Sequence, residues 1–195
     1  TLAAASTIDA SGGTNAAVAL ADVTGEFNLI VTGDTGASGS AITLDGADVN
    51  ALTLTGGVLT LNGDVESDGA LDFTSVDAIT LGGNVVITGD DTGTKKDITF
   101  DAANIITGAN TLSLAGDTVT LYQVGDGTTD PTQLTVTAAT GLSLYGNLTI
   151  DGAVALDTNV AAITLAAAST IDASGGTNAA VALADVTGEF NLIVT

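Results

Sequence analysis

A triplet of apolar residue, Thr or Ser, apolar residue returns along this chain about every twenty residues, and few folds accommodate that rhythm. It reads Ile42-Thr43-Leu44, Leu59-Thr60-Leu61, Ile79-Thr80-Leu81, Ile98-Thr99-Phe100, Val119-Thr120-Leu121, Leu142-Ser143-Leu144 and Ile163-Thr164-Leu165, with successive starts 17, 20, 19, 21, 23 and 21 residues apart. Alternation with a period of two marks a strand with one buried face. Its return at a near-constant interval marks a stack of similar coils.

Further strands lie inside each interval. Leu52-Thr53-Leu54 stands seven residues before Leu59, Leu112-Ser113-Leu114 seven before Val119, and Leu134-Thr135-Val136 eight before Leu142. Between them fall Asp45-Gly46, Asn62-Gly63, Asp68-Gly69, Gly116-Asp117, Gly146-Asn147 and Asp151-Gly152, residues that supply the backbone angles of corners. Three short strands joined by corners make a triangular coil. The sequence therefore predicts an all-β fold, a right-handed parallel β-helix with three strands and about 20 residues per turn; the hand follows from the handedness of parallel crossovers. An antiparallel β-sandwich also uses short strands at 8 to 12 residue spacing, but has no reason to keep a period near 20.

The chain also repeats on a longer scale. Residues 1–32 return without a change as residues 164–195. Folding constrains inward positions and leaves most surface positions free, so identity at the free positions points to a copied or homogenised tandem unit. The expected organisation is one full super-repeat of a continuous solenoid, 1–163, followed by the start of the next, 164–195. With Val18-Ala19-Leu20 as the opening strand, the unit divides into about eight turns.

Composition narrows the function classes. The chain has 23 acidic residues against two basic ones, Lys95 and Lys96, and neither Arg nor His; such a surface repels nucleic acid and anionic lipid. No apolar run approaches the ~18 residues of a membrane span, so neither nucleic acid nor membrane insertion is expected. Without His, Cys or Arg, most nucleophile–base pairs and zinc sites have no members. Gly89-Asp90-Asp91 superficially resembles a fragment of the polygalacturonase pattern, but the other pieces of that pattern, its His and its Arg and Lys cluster, are missing, and no enzyme is expected.

Hard oxygen ligands for a metal are grouped as Asp90, Asp91 and Asp97 in one loop and Asp126 and Asp130 in another. Neither loop has EF-hand spacing. No cofactor is expected, and calcium or another divalent cation is expected to bind weakly or diffusely. The 163-residue unit carries a net charge of −18, which over eight coils at ~4.8 Å amounts to about one charge per 2 Å of axis, near the density of duplex DNA.

The outward residues of the triplets predict one surface column, Thr43, Thr60, Thr80, Thr99, Thr120, Ser143 and Thr164. The next outward column reads Asp45, Asn62, Gly82, Asp101, Tyr122, Tyr145 and Ala166, and predicts stacked rings at Tyr122 and Tyr145. Its mixed chemistry argues against the paired Thr columns of an ice-binding face. Three segments break the rhythm, 33–40, 89–97 and 125–133, and read as bulged corners gathered on one face.

The stretches ITLGGNVVITGDDTG (79–93), LTLNGDVESDGALDFTSVDAITLGG (59–83) and LSLAGDTVTL (112–121) resemble the β-strand repeats of filamentous-haemagglutinin-like and autotransporter-like surface proteins of Gram-negative bacteria. The resemblance implies a secreted β-helical stalk, on the cell surface or in its matrix, used in adhesion, biofilm or surface structure. The expected function is a structural segment of a long extracellular fibre. Its partners would be neighbouring repeats, copies of itself end to end, and surface or matrix components. The alternative is an adhesin module that recognises a glycan or surface through its corner loops.

Overall fold

Parallel pairing between successive coils organises the chain. The computed structural model describes residues 1–12, 16–34, 41–176 and 179–195, the side chain of Asp91 excepted, and within them every regular element is a strand. The strands stack as a β-solenoid with three sides per coil. Side one carries Val23, Ala47, Val65, Ile87, Leu114 and Val136 inward, one coil above the next. It continues through Val154, paired with Leu134, to Val181.

Side two begins with Ser6–Asp9 on Leu29–Thr32, continues with Leu29 on Leu52 and, beyond the contact of strand Ala47–Leu61 with Leu71–Asp72, runs through Leu71, Ile98, Val119, Leu142, Ile163 and Val186. Side three stacks Val18, Ile42, Leu59, Ile79, Ile106, Val124, Leu148, Ile171 and Val194.

The nine positions of side three bound eight turns. They cover Val18 to Val194, so the mean turn is slightly longer than the triplet spacing suggested. The shortest turn runs from Ile42 to Leu59 and the longest from Ile79 to Ile106. That longest turn contains a β-hairpin, Val85–Asp91 with Thr94–Lys95, the antiparallel exception to the parallel pairings of the described residues. Thr92 (φ 46°) and Gly93 (φ 87°) form its tip, as the two positive-φ residues of a tight hairpin require.

Inside, aliphatic side chains from all three sides form one core. Phe73 and Phe100, each 1% exposed, stack in it with centroids 5.0 Å apart and planes 6° from parallel. Coverage by the next coil decides burial. Val31, under Leu54, is 0% exposed, whereas its sequence copy Val194, with no described coil beyond it, is 47% exposed.

Corners are tight where one coil's carbonyl points at the next coil. A Cβ built on Gly63 would lie 1.9 Å from the Asp45 carbonyl oxygen, and one on Gly176 1.9 Å from that of Asp151. Both glycines are required by close backbone approach. Gly63→Ala is accordingly expected to lower unfolding free energy by at least about 2 kcal/mol. Gly12→Ala, where a built Cβ meets nothing within 4 Å among the described residues beyond its chain neighbours, should change it by less than about 0.5 kcal/mol. Denaturant melts of the two variants check this.

Candidate functional site

The surface features forecast from sequence fall into two ladders instead of one. Thr43, Thr60 and Thr80 stack on side three, and the ladder continues to Thr107. Thr99, Thr120, Ser143 and Thr164 stack on side two, between Asp72 and Thr187. The single column divides between Thr80 and Thr99 for a physical reason. All three sides of a coil have one buried face, so the triplet marks a strand without saying which side it belongs to. From Ile79 the chain passes along side one at Ile87, makes the hairpin, and reaches side two at Ile98; the side-three segment of that coil is Ile105-Ile106-Thr107, which lacks the triplet.

The adjoining column divides in the same way. On one part Asn62 Nδ2 donates to Asp45 Oδ1 at 2.8 Å. On the other, the rings of Tyr122 and Tyr145 stack with centroids 4.7 Å apart and an interplanar angle of 12°, and Tyr145 is 40% exposed. Coil spacing of ~4.8 Å brings side chains at equivalent positions to ring-stacking distance.

Of the acidic residues singled out as metal ligands, Asp90, Asp126 and Asp130 are engaged within their own loops and Asp97 bonds to the next coil. Asp90 Oδ2 accepts from Lys95 Nζ at 2.8 Å and Oδ1 from the Gly93 amide at 2.7 Å; the Lys95 contact, then that amide, holds its carboxyl below the usual range. The Asp91 side chain lies outside the described residues. Asp97 Oδ1 accepts from the Thr118 amide one coil on, at 3.1 Å.

In the 125–133 loop, Asp126 Oδ1 accepts from the amides of Thr128 (2.8 Å) and Thr129 (3.0 Å). Asp130, 6% exposed, accepts from the amides of Asp126 and Gly127, each at 2.8 Å. These carboxylates close the loop upon itself. Among the described residues no group of three or more Asp or Glu is arranged to hold a metal ion. A groove of about 340 Å³ lined by Asp22, Asp45, Asp48, Asp64 and Glu66 concentrates negative charge beside side one.

The interrupting segments do not gather on one face. The hairpin at 89–97 leaves the corner between sides one and two, and the 125–133 loop the corner between sides three and one. Of segment 33–40, residues 35–40 lie outside the described residues.

One recurrent device was not singled out from the sequence. Asp64, Asn84, Asp97 and Asn147 each precede an inward aliphatic residue, and each side-chain oxygen accepts the amide of its counterpart in the next coil: Val86 at 2.8 Å, Thr111 at 3.0 Å, Thr118 at 3.1 Å and Thr170 at 2.9 Å. Corners cannot keep every amide in the ladder, and these side-chain oxygens meet the ones left over. The signal is the pair Asp or Asn then Val, Ile or Leu, and it occurs on any side. Asn104, fully buried, serves a corner differently, accepting from the Asp101 amide at 2.9 Å and donating to the Val76 carbonyl.

Set against family models, curated proteins and solved structures, the chain matches none.

The amides of Thr129 and then Thr128 hold the Asp126 carboxyl below its ordinary pKa in the folded chain. A lowered folded-state value gives stability that is present above the unfolded carboxylate pKa of ~3.9 and lost as pH falls through the folded value. The stability difference between the parent chain and Asp126→Ala should therefore be full at pH 7 and shrink steadily below about pH 4. Paired thermal melts across that range measure it.

Proposed function

We propose that this chain is a length of shaft: a structural segment of a long extracellular repeat protein that forms a fibre or stalk on a bacterial surface or in its matrix. The observation that carries the reading is the junction between repeats. Ser169–Asp172 pairs with Leu192–Val194 in the register that Ser6–Asp9 keeps with Leu29–Thr32, and it rests on Leu148–Thr149 of the preceding repeat through ordinary parallel pairing. The second copy enters as one more coil, with no cap or domain boundary between. In such a stack each coil interacts with its neighbours, so length grows by copying sequence at nearly constant stability per turn.

Charge suits the same role. The acid-rich surface holds shafts apart at low ionic strength and draws counterions along their length. No catalytic constellation is assigned, and carboxylates that already accept backbone amides serve the coil.

Electron microscopy of the native assembly, with gold-labelled antibody raised against the 195-residue chain, tests the reading. Labelled filaments running out from the cell surface are expected; label confined to the cell interior, or to discrete globular particles, would sink it. Addition of millimolar calcium to purified filaments should raise light scattering as they bundle, and monovalent salt at equal ionic strength should do so far less.

A second reading, an adhesin module, is favoured by the exposed stack of Tyr122 and Tyr145, since aromatic faces at a surface pack against sugar rings. Glycan binding abolished by Tyr145→Ala, with the fold intact, would select it over the shaft alone.

A further inference from the structure

Identical sequence does not occupy identical sides. In the first copy Val23 lies on side one, Ile8 on side two and Val18 on side three. Their copies, Val186, Ile171 and Val181, lie on sides two, three and one. Each has moved one side onward, and the pairing between equivalent strands is unchanged: Ile8 faces Val31 as Ile171 faces Val194. Following the chain from Val23 to Val186, the stack advances through seven complete turns and one further side.

We infer that consecutive 163-residue repeats are set one side of the coil apart, so that a molecule built from them displays each surface feature on its three sides in rotation. The hairpin that leaves the corner between sides one and two in one repeat leaves the corner between two and three in the next, and between three and one in the next again. The tyrosine stack follows it. Three repeats, 22 turns, restore the starting side, a distance of about 105 Å at ~4.8 Å per coil. A partner lying along one side thus meets an equivalent hairpin or tyrosine pair once in three repeats, not at every repeat of ~35 Å. Partners approaching from three directions meet the same surface.

The rotation requires the three sides to be interchangeable, and the bonding is so. The Asp or Asn bond to the next coil occurs on side one at Asp64 and Asn84, on side two at Asp97 and on side three at Asn147. Asp9 on side two and its copy Asp172 on side three accept from the amides of Ser11 and Ser174, each at 2.9 Å. At this turn local structure follows the sequence and not the side.

Display along a fibre rests on the proposed shaft of consecutive repeats; the rotation itself can be measured on the 195-residue chain, which has no cysteine. Ala182 pairs with Ala155 on side one, whereas its copy Ala19 pairs with Thr43 on side three. Had the repeat contained whole turns, Ala182 would stand on side three above Thr149. Coils at ~4.8 Å fall within the Cα separation a disulfide accepts. Under mild oxidation the double variant Ala155→Cys/Ala182→Cys is expected to close an intramolecular disulfide, and Thr149→Cys/Ala182→Cys to remain reduced.

The reverse pattern overturns the rotation. A third pair within the first repeat, Thr120→Cys/Ser143→Cys, separates the causes of failure: if it closes and Ala155→Cys/Ala182→Cys does not, the rotation is wrong and the solenoid stands. If none of the three pairs closes, the stacked coil is wrong and the rotation falls with it. Absence of surface filaments would refute the shaft and leave the cross-linking result unaffected.

Discussion

The hydrogen-bond ladder between coils is the interaction on which everything else rests. Each side of a coil is only a few residues long and has no stability of its own, so its amides and carbonyls must be met by the coils above and below. That requirement fixes the spacing at ~4.8 Å. The spacing brings Phe73 onto Phe100 inside and Tyr122 onto Tyr145 outside, at 5.0 and 4.7 Å. It also sets the tolerance at corners, where Gly63 leaves no room for a methyl group. The aliphatic core is continuous because the ladder holds successive coils in register.

A ladder of this kind is indifferent to which side of the triangle a strand occupies. The stretch that occurs twice keeps its internal pairing, Ile8 on Val31 and Ile171 on Val194, although its strands have each moved one side onward and meet different neighbours outside it. Such interchangeability depends on sequence rules that are local: one inward aliphatic residue at alternate positions, a small or Asx residue at the corner, an Asp or Asn side chain to satisfy the amide the corner leaves over. A gene that lengthens by copying needs no whole number of turns in its unit if any side accepts any strand. The surface then acquires its longer period from the remainder.

Much of this was legible. The triplets and Gly, Asn and Asp corners gave a three-sided parallel coil because period-two alternation and turn chemistry are local properties, and the flanks Leu121 and Leu144 placed Tyr122 over Tyr145. The allocation of strands to sides was less legible. A hairpin within one coil lengthened the turn from Ile79 to Ile106 and, with Ile105-Ile106-Thr107 lacking the triplet, let the spacing from Ile79 to Ile98 pass for a full turn. The part played by Asp97, Asp126 and Asp130 was hidden for another reason. A carboxylate that accepts a backbone amide and one that could bind a cation are the same letter, and only the loop's path distinguishes them.

In the solenoid, strands run across the long axis and hydrogen bonds run along it. X-ray diffraction from an aligned, concentrated sample of the chain tests that directly. The stacked coil predicts a strong reflection near ~4.8 Å on the meridian, parallel to the axis of alignment. A ~4.8 Å reflection confined to the equator would place the hydrogen bonds across the axis and contradict the solenoid.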